Sequence, residues 1–73
     1  MTVNFDSRKF RAVRKERGLS QEMLAELADT STRYVSALEN GQKRNPSAIL
    51  LFQFSDALGV PMEDLMKSQE KEE

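Results

Sequence analysis

The chain has 73 residues, a formal net charge of −1, and neither cysteine nor histidine. That length holds one domain, and the missing residue types exclude disulfide staples and the usual zinc ligands, so stability rests on apolar packing with oligomerisation as the natural supplement. The longest apolar run, Ala48–Phe52, is far too short to span a bilayer, and Met1–Phe5 lacks the basic flank and apolar stretch of a signal peptide; a membrane partner is excluded and a cytoplasmic location is expected.

No repeat or low-complexity stretch interrupts the chain, nothing alternates as a strand does, and the periodicity predicts five short helices. The first begins at Asp6 or Ser7, either a good N-cap, and carries Phe10 and Val13 one turn apart. It ends at Gly18, a natural left-handed stop after the basic run Arg14, Lys15 and Arg17. Ser20 caps a second helix, Gln21–Ala28, with Leu24, Ala25 and Ala28 as its apolar stripe. Its Glu22 lies in the first turn, where the helix dipole favours a carboxylate. Asp29–Ser31 break the pattern, because Asp and Thr side chains bond locally to backbone and favour turns. Ser31 then caps a third helix that runs to Asn40 and is closed by Gly41. A polar, basic loop, Gln42–Asn45, leads to a fourth helix starting near Pro46–Ser47, with proline suited to its first turn. This helix continues through Leu51, Phe54 and Leu58 to Gly59, and a fifth, Pro61–Met66, contributes Met62 and Leu65. The expected fold is all-α, a compact five-helix bundle. Residues 1–5 are read as an N-terminal extension, residues 6–66 as the domain, and residues 67–73 as a disordered polar tail.

The few residues between the second and third helices are the connection expected of a helix-turn-helix, here Gln21 to Asn40. At about 100° per residue, Ser31, Val35 and Leu38 share one side of the third helix. Arg33, Ser36, Ala37 and Asn40 share the other, and Thr32 sits at the exposed N-terminal end. Charge is unevenly spread: residues 1–44 carry nine Lys or Arg against six Asp or Glu, and residues 45–73 carry two against six. The basic half suits an anionic partner, although chance segregation on so short a chain gives the same pattern.

Several runs stand in order along the chain: Val13-Arg14-Lys15-Glu16-Arg17-Gly18-Leu19-Ser20-Gln21, Leu24-Ala25-Glu26-Leu27-Ala28 and Val35-Ser36-Ala37-Leu38-Glu39-Asn40-Gly41, then Asn45-Pro46-Ser47 and Ala57-Leu58-Gly59-Val60. With these runs, from Arg11 to Leu65, the chain resembles the phage repressor and Cro-like helix-turn-helix family, whose fold is the lambda repressor-like domain. The resemblance implies a sequence-specific transcriptional regulator, a repressor in the first instance, that inserts its third helix into the major groove of double-stranded DNA. The family usually has glycine where this chain has Asp29 and a buried aliphatic residue where it has Thr30. Asp tolerates left-handed backbone comparatively well, so the turn is expected to persist.

The major groove admits an α-helix, and the helix's N-terminal residues reach the base edges. Arg33 is the first candidate, because a guanidinium matches guanine O6 and N7 with two bonds; a solvated side chain or a phosphate contact is the competing reading. Thr32 can donate, accept or set its methyl against thymine, Ser36 offers a short hydrogen bond, and Ala37 an apolar contact. Gln21 stands beside free backbone N–H groups at the start of the second helix, which suits a phosphate oxygen. The resemblance implies that role for Gln21 and for Asn40. Lys43, Arg44 and Arg17 are further phosphate candidates. Tyr34 is open between packing its ring on the flank of the core and reaching the DNA backbone with its hydroxyl. For each of these, an ordinary exposed polar residue is the alternative. The resemblance also implies that Arg14 and Glu39 pair across the first and third helices.

Ile49 and Phe52 lie one turn apart beside the core stripe of the fourth helix, where one buried stripe has no use for them. With Met62 and Met66 they are candidates for a self-association face, against the simpler reading of a wide core stripe. A homodimer would set two reading helices about 34 Å apart over a pseudo-palindromic site. Catalysis has no footing without histidine, cysteine or a phosphate loop. No cofactor, metal or small-molecule ligand is expected. A second reading keeps the fold as a protein-interaction module, such as the antitoxin-type partner of another protein, in line with the acidic C-terminal half.

Overall fold

The computed structural model describes residues 4–67; residues 1–3 of the expected extension and residues 68–73 of the expected tail lie outside the described residues. Four α-helices and one 3-10 turn follow in order: α1 (Ser7–Glu16), α2 (Gln21–Leu27), α3 (Thr32–Glu39), α4 (Ala48–Leu58) and the turn Met62–Leu65. Each α-helix starts where a side chain satisfies free N–H groups. Asp6 accepts from the N–H of Arg8 and Lys9 at 2.9 and 3.1 Å. The Ser20, Ser31 and Ser47 hydroxyls accept from Met23, Tyr34 and Leu50 at 3.0, 3.1 and 3.1 Å. With Ser47 as the cap of α4, Pro46 stands just outside the helix and not in its first turn.

Three helices end in the same way. After α1 and α4, the N–H groups of Leu19 and Val60 reach back to the carbonyls of Arg14 and Ser55 at 3.2 and 3.1 Å, with Gly18 and Gly59 between at φ 72° and 71°. After α2, Thr30 N–H bonds the Ala25 carbonyl at 2.9 Å across Asp29, whose φ is 58°. This is the Schellman closure that normally takes glycine. Asp29 therefore holds the turn of the helix-turn-helix in the left-handed conformation that its position demands.

The expected fifth helix is corrected to a single 3-10 turn. Pro61 offers no N–H and no side-chain cap, and by Met66 the backbone is already extended at φ −120° and ψ 157°. The four residues between them are the length at which 3-10 geometry is common. Met66 is extended because it pairs antiparallel with Phe5. Asp6 N–H bonds Leu65 O at 2.9 Å, and Lys67 N–H bonds Asn4 O at 2.8 Å. Lys9 Nζ adds a bond to Met66 O at 2.8 Å.

That pairing brings Asn4 and Phe5, read from the sequence as extension, and Lys67, read as tail, against the helical unit. Phe5 is 8% exposed and meets Phe10 edge-to-face at 5.2 Å, and Phe10 meets Phe54 likewise at 5.0 Å. Such ring pairs add to the apolar area they bury. Around this file of rings pack Leu24, Val35, Leu38, Leu58 and Leu65. α2 packs chiefly on α3, and α1 lies against both α3 and the 3-10 turn. No helix among the described residues is long and apolar enough to cross a membrane.

Candidate nucleic-acid interface

α3 is held by one side and open on the other. Val35 and Leu38 are fully buried, Thr32, Arg33 and Asn40 are exposed, and Ser36 and Ala37 are half-buried. Ser31 caps the N-terminal end of α3, where Thr32 and Arg33 are exposed. Along this face, Ser31, Arg33, Tyr34, Ala37, Gln42 and Lys43 line a shallow recess of about 360 Å³.

From behind, α3 is braced by an ion pair. Arg14 on α1 donates to both carboxylate oxygens of Glu39, Nε to Oε2 at 2.5 Å and Nη2 to Oε1 at 3.0 Å, and its Nη1 donates to Leu19 O at 2.7 Å. The two side chains are 10% and 5% exposed. Burial favours the neutral form of Glu39. The hydrogen bonds from Arg14 and Gln21 and the charges of Arg14 and Arg11 outweigh it, and hold the carboxyl below the ordinary carboxylate range. The bond to Glu39 in turn raises Arg14 against its own desolvation. The pairing expected from the resemblance is thus present, and it is bidentate.

The flanking residues divide. Gln21 is half-buried and its Nε2 donates to Glu39 Oε1 at 3.0 Å, so one end of its amide belongs to the brace. Asn40 is exposed and its Oδ1 accepts from Gln42 N–H at 3.0 Å, which shapes the loop after α3. Lys43 N–H bonds Ala37 O at 3.0 Å, which draws that loop back onto the helix. The Lys43, Arg44 and Arg17 side chains are exposed. The Tyr34 ring stacks on Phe54, with 6.4 Å between centroids and 9° between planes, and burial pushes its hydroxyl pKa up. Ile49 and Phe52, on α4, are 72% and 60% exposed, while Met62 and Met66 are half-buried against the protein's own core.

Sequence reasoning missed two supports. The Leu19 carbonyl receives Arg14, and Gln53 Nε2 donates to Ala28 O at 2.9 Å, tying α4 to the end of α2. Neither leaves a signal in the chain, because a carbonyl belongs to every residue and Gln53 looks like any polar position on α4.

A short helix braced from behind, led by a capped turn, and open along one polar face is the build of a helix-turn-helix domain. A model of the family described as helix-turn-helix matches residues 10–65. Control protein C.MunI of a Mycoplasma species is 42% identical over 65 residues, covering 88% of this chain and 86% of that protein. The restriction-modification controller C.AhdI from Aeromonas hydrophila superposes with a TM-score of 0.77 at 34% identity, covering 81% of this chain and 88% of that one. The biofilm master regulator SinR, solved in complex with DNA, superposes at 0.79 and 33% identity, covering 82% and 98%. The chain belongs to the helix-turn-helix family of Cro/C1-type DNA-binding transcriptional regulators, which are not enzymes.

Proposed function

We propose that α3 enters the major groove of double-stranded DNA with Thr32 and Arg33 leading and Ser36 and Ala37 one turn behind. In this reading, two copies act as a homodimer on a pseudo-palindromic operator and repress transcription. The division of α3 carries the proposal: Val35 and Leu38, both 0% exposed, leave a helix that is anchored on one side and free to offer polar side chains on the other. Gln21, Arg17 and Tyr34, with Asn40, Lys43 and Arg44 beyond the helix, are the phosphate contacts of this reading. The DNA in the SinR complex supports it.

The dimer face is argued from α4. Ile49 and Phe52 are large, apolar and exposed. Their chain neighbours Ala48 and Leu51 line a largely apolar groove of about 350 Å³ with Phe5, Pro46, Met62 and Met66, and Arg44 and Asn45 border it. A second copy covering both would remove apolar surface from water, and this small domain has few other means of adding stability. Sedimentation of wild type and Phe52→Glu at micromolar concentration tests the dimer, and a monomeric wild type ends that part of the proposal. Selection of bound sequences from random duplexes tests the rest. A recovered site that Arg33→Ala leaves unchanged removes Arg33 from the reading surface. Absence of duplex binding at every salt concentration moves the function to the protein-interaction module that the acidic C-terminal half favours.

A further inference from the structure

Between the loop after α3 and the paired segments 4–5 and 66–67 lies a recess of about 590 Å³, lined by Asn4, Phe5, Ser7, Gly41, Lys43, Arg44, Asn45 and Lys67. Three of these residues are cations, three more carry hydrogen-bonding side chains, and none is a carboxylate. The nearest acid in sequence, Asp6, is turned away to accept from the N–H of Arg8 and Lys9.

Lys67 is the only Lys or Arg from residue 45 to residue 67, a stretch that also carries Asp56, Glu63 and Asp64. It reaches the recess because the backbone places it there. Its N–H bonds Asn4 O at 2.8 Å, and Phe5 pairs with Met66 beside it. On the opposite wall, Lys43 is tied to α3 through its bond to Ala37 O, and Lys43 also borders the recess on the outer face of α3. Arg44 and Asn45 border the apolar groove of the proposed dimer face. The basic recess therefore lies between the proposed reading surface and the proposed dimer surface.

We propose that this recess is a phosphate site, in which Lys67, beyond the 3-10 turn, joins Lys43 and Arg44 around one backbone phosphate of the bound duplex. The proposal rests on α3 entering the major groove. It adds a contact that the helix-turn-helix segment does not contain. Its place beside the dimer face puts that phosphate toward the centre of a two-fold site.

The test measures duplex binding against salt for wild type, Lys67→Gln, Lys67→Arg and a charge-matched control, Lys15→Gln, on the opposite end of α1's exposed surface. Each neutralised phosphate contributes close to one power of salt concentration. Lys67→Gln is expected to lower the slope of log K against log salt by about 1, with Lys67→Arg restoring it and Lys15→Gln leaving it unchanged. The backbone bond to Asn4 does not involve the side chain, so the fold is retained in both Lys67 variants, and Lys15 is exposed on α1. If Lys67→Gln keeps the wild-type slope while wild type binds DNA, the proposal is overturned and the groove reading stands. Titration of inorganic pyrophosphate, read from the amide signals of Ser7, Gly41 and Lys67, separates the sources of phosphate. Shifts at those amides without duplex binding overturn the backbone-phosphate assignment along with the groove reading and leave a site for free phosphate only. No response to either probe overturns both.

Discussion

Arg14 and Glu39, 25 positions apart, meet in a two-point ion pair that fastens the end of α3 to α1 and to the Leu19 carbonyl. Because both side chains are nearly buried, removing one strands the other's charge. Loss of one partner of a buried pair costs about 3–5 kcal/mol, a large fraction of what so small a domain has. Arg14→Met and Glu39→Leu are each expected to lower the urea midpoint severely or unfold the chain. The double variant should recover a large part of the loss, since an apolar pair leaves no stranded charge.

The same pair sets an acid limb. Glu39 titrates lower folded than unfolded, so its contribution is fully present above the ordinary glutamate value of about 4.3 and disappears as pH falls through its lower folded value. Arg14 is raised, so its contribution holds below the arginine range and is lost only at extreme alkaline pH. Denaturant melts from neutral pH to pH 3 should show stability falling below the glutamate range in wild type. Glu39→Gln should start lower and fall less steeply.

Asp29 is the one described non-glycine residue with positive φ. Asp29→Ala is expected to cost about 1 kcal/mol, while Asp29→Gly gains up to about 0.5 kcal/mol, part of the relief being offset by a freer unfolded chain. Thermal melts of both variants decide it, and equal effects would mean that φ is not the relevant strain.

Phe5→Ala removes the first ring of the Phe5–Phe10–Phe54 file and is expected to cost about 3 kcal/mol. A change of less than about 0.5 kcal/mol, the usual size for a surface substitution, would return residues 4 and 5 to the status of an extension.

On DNA, Arg33→Ala is expected to cost about 1–3 kcal/mol and to relax preference at one base position. Lys43→Gln should weaken binding to all sequences alike and lower the salt slope by about 1. Equal losses on specific and unrelated duplexes for Arg33→Ala would reassign it to the phosphate backbone.

Much of the site was legible because local chemistry repeats. Asp6, Ser20 and Ser31 stand before apolar stripes, and each caps the helix that follows. The two faces of α3 follow from helical spacing, and Arg14 and Glu39 from the family's runs. The 3-10 turn was not legible: Pro61–Met66 has a helix-like pattern, and only the pairing of Met66 with Phe5 draws the backbone out. Gln21 shows the same limit, since its position beside free N–H groups says nothing of the Glu39 oxygen that takes one end of its amide.

For the four α-helices the sequence by itself determined, to within a residue or two, where each starts and stops and which side is apolar, because caps, left-handed stops and periodicity act over at most a few residues. Only the tertiary structure decided what meets across the chain. Phe5 enters the core, Lys67 shares a recess with Lys43 and Arg44, and Gln53 reaches the Ala28 carbonyl, because packing around Phe10 and Phe54 brings residues 4–5, residues 65–67 and the helices together. Such contacts join residues tens of positions apart, and no local pattern records them.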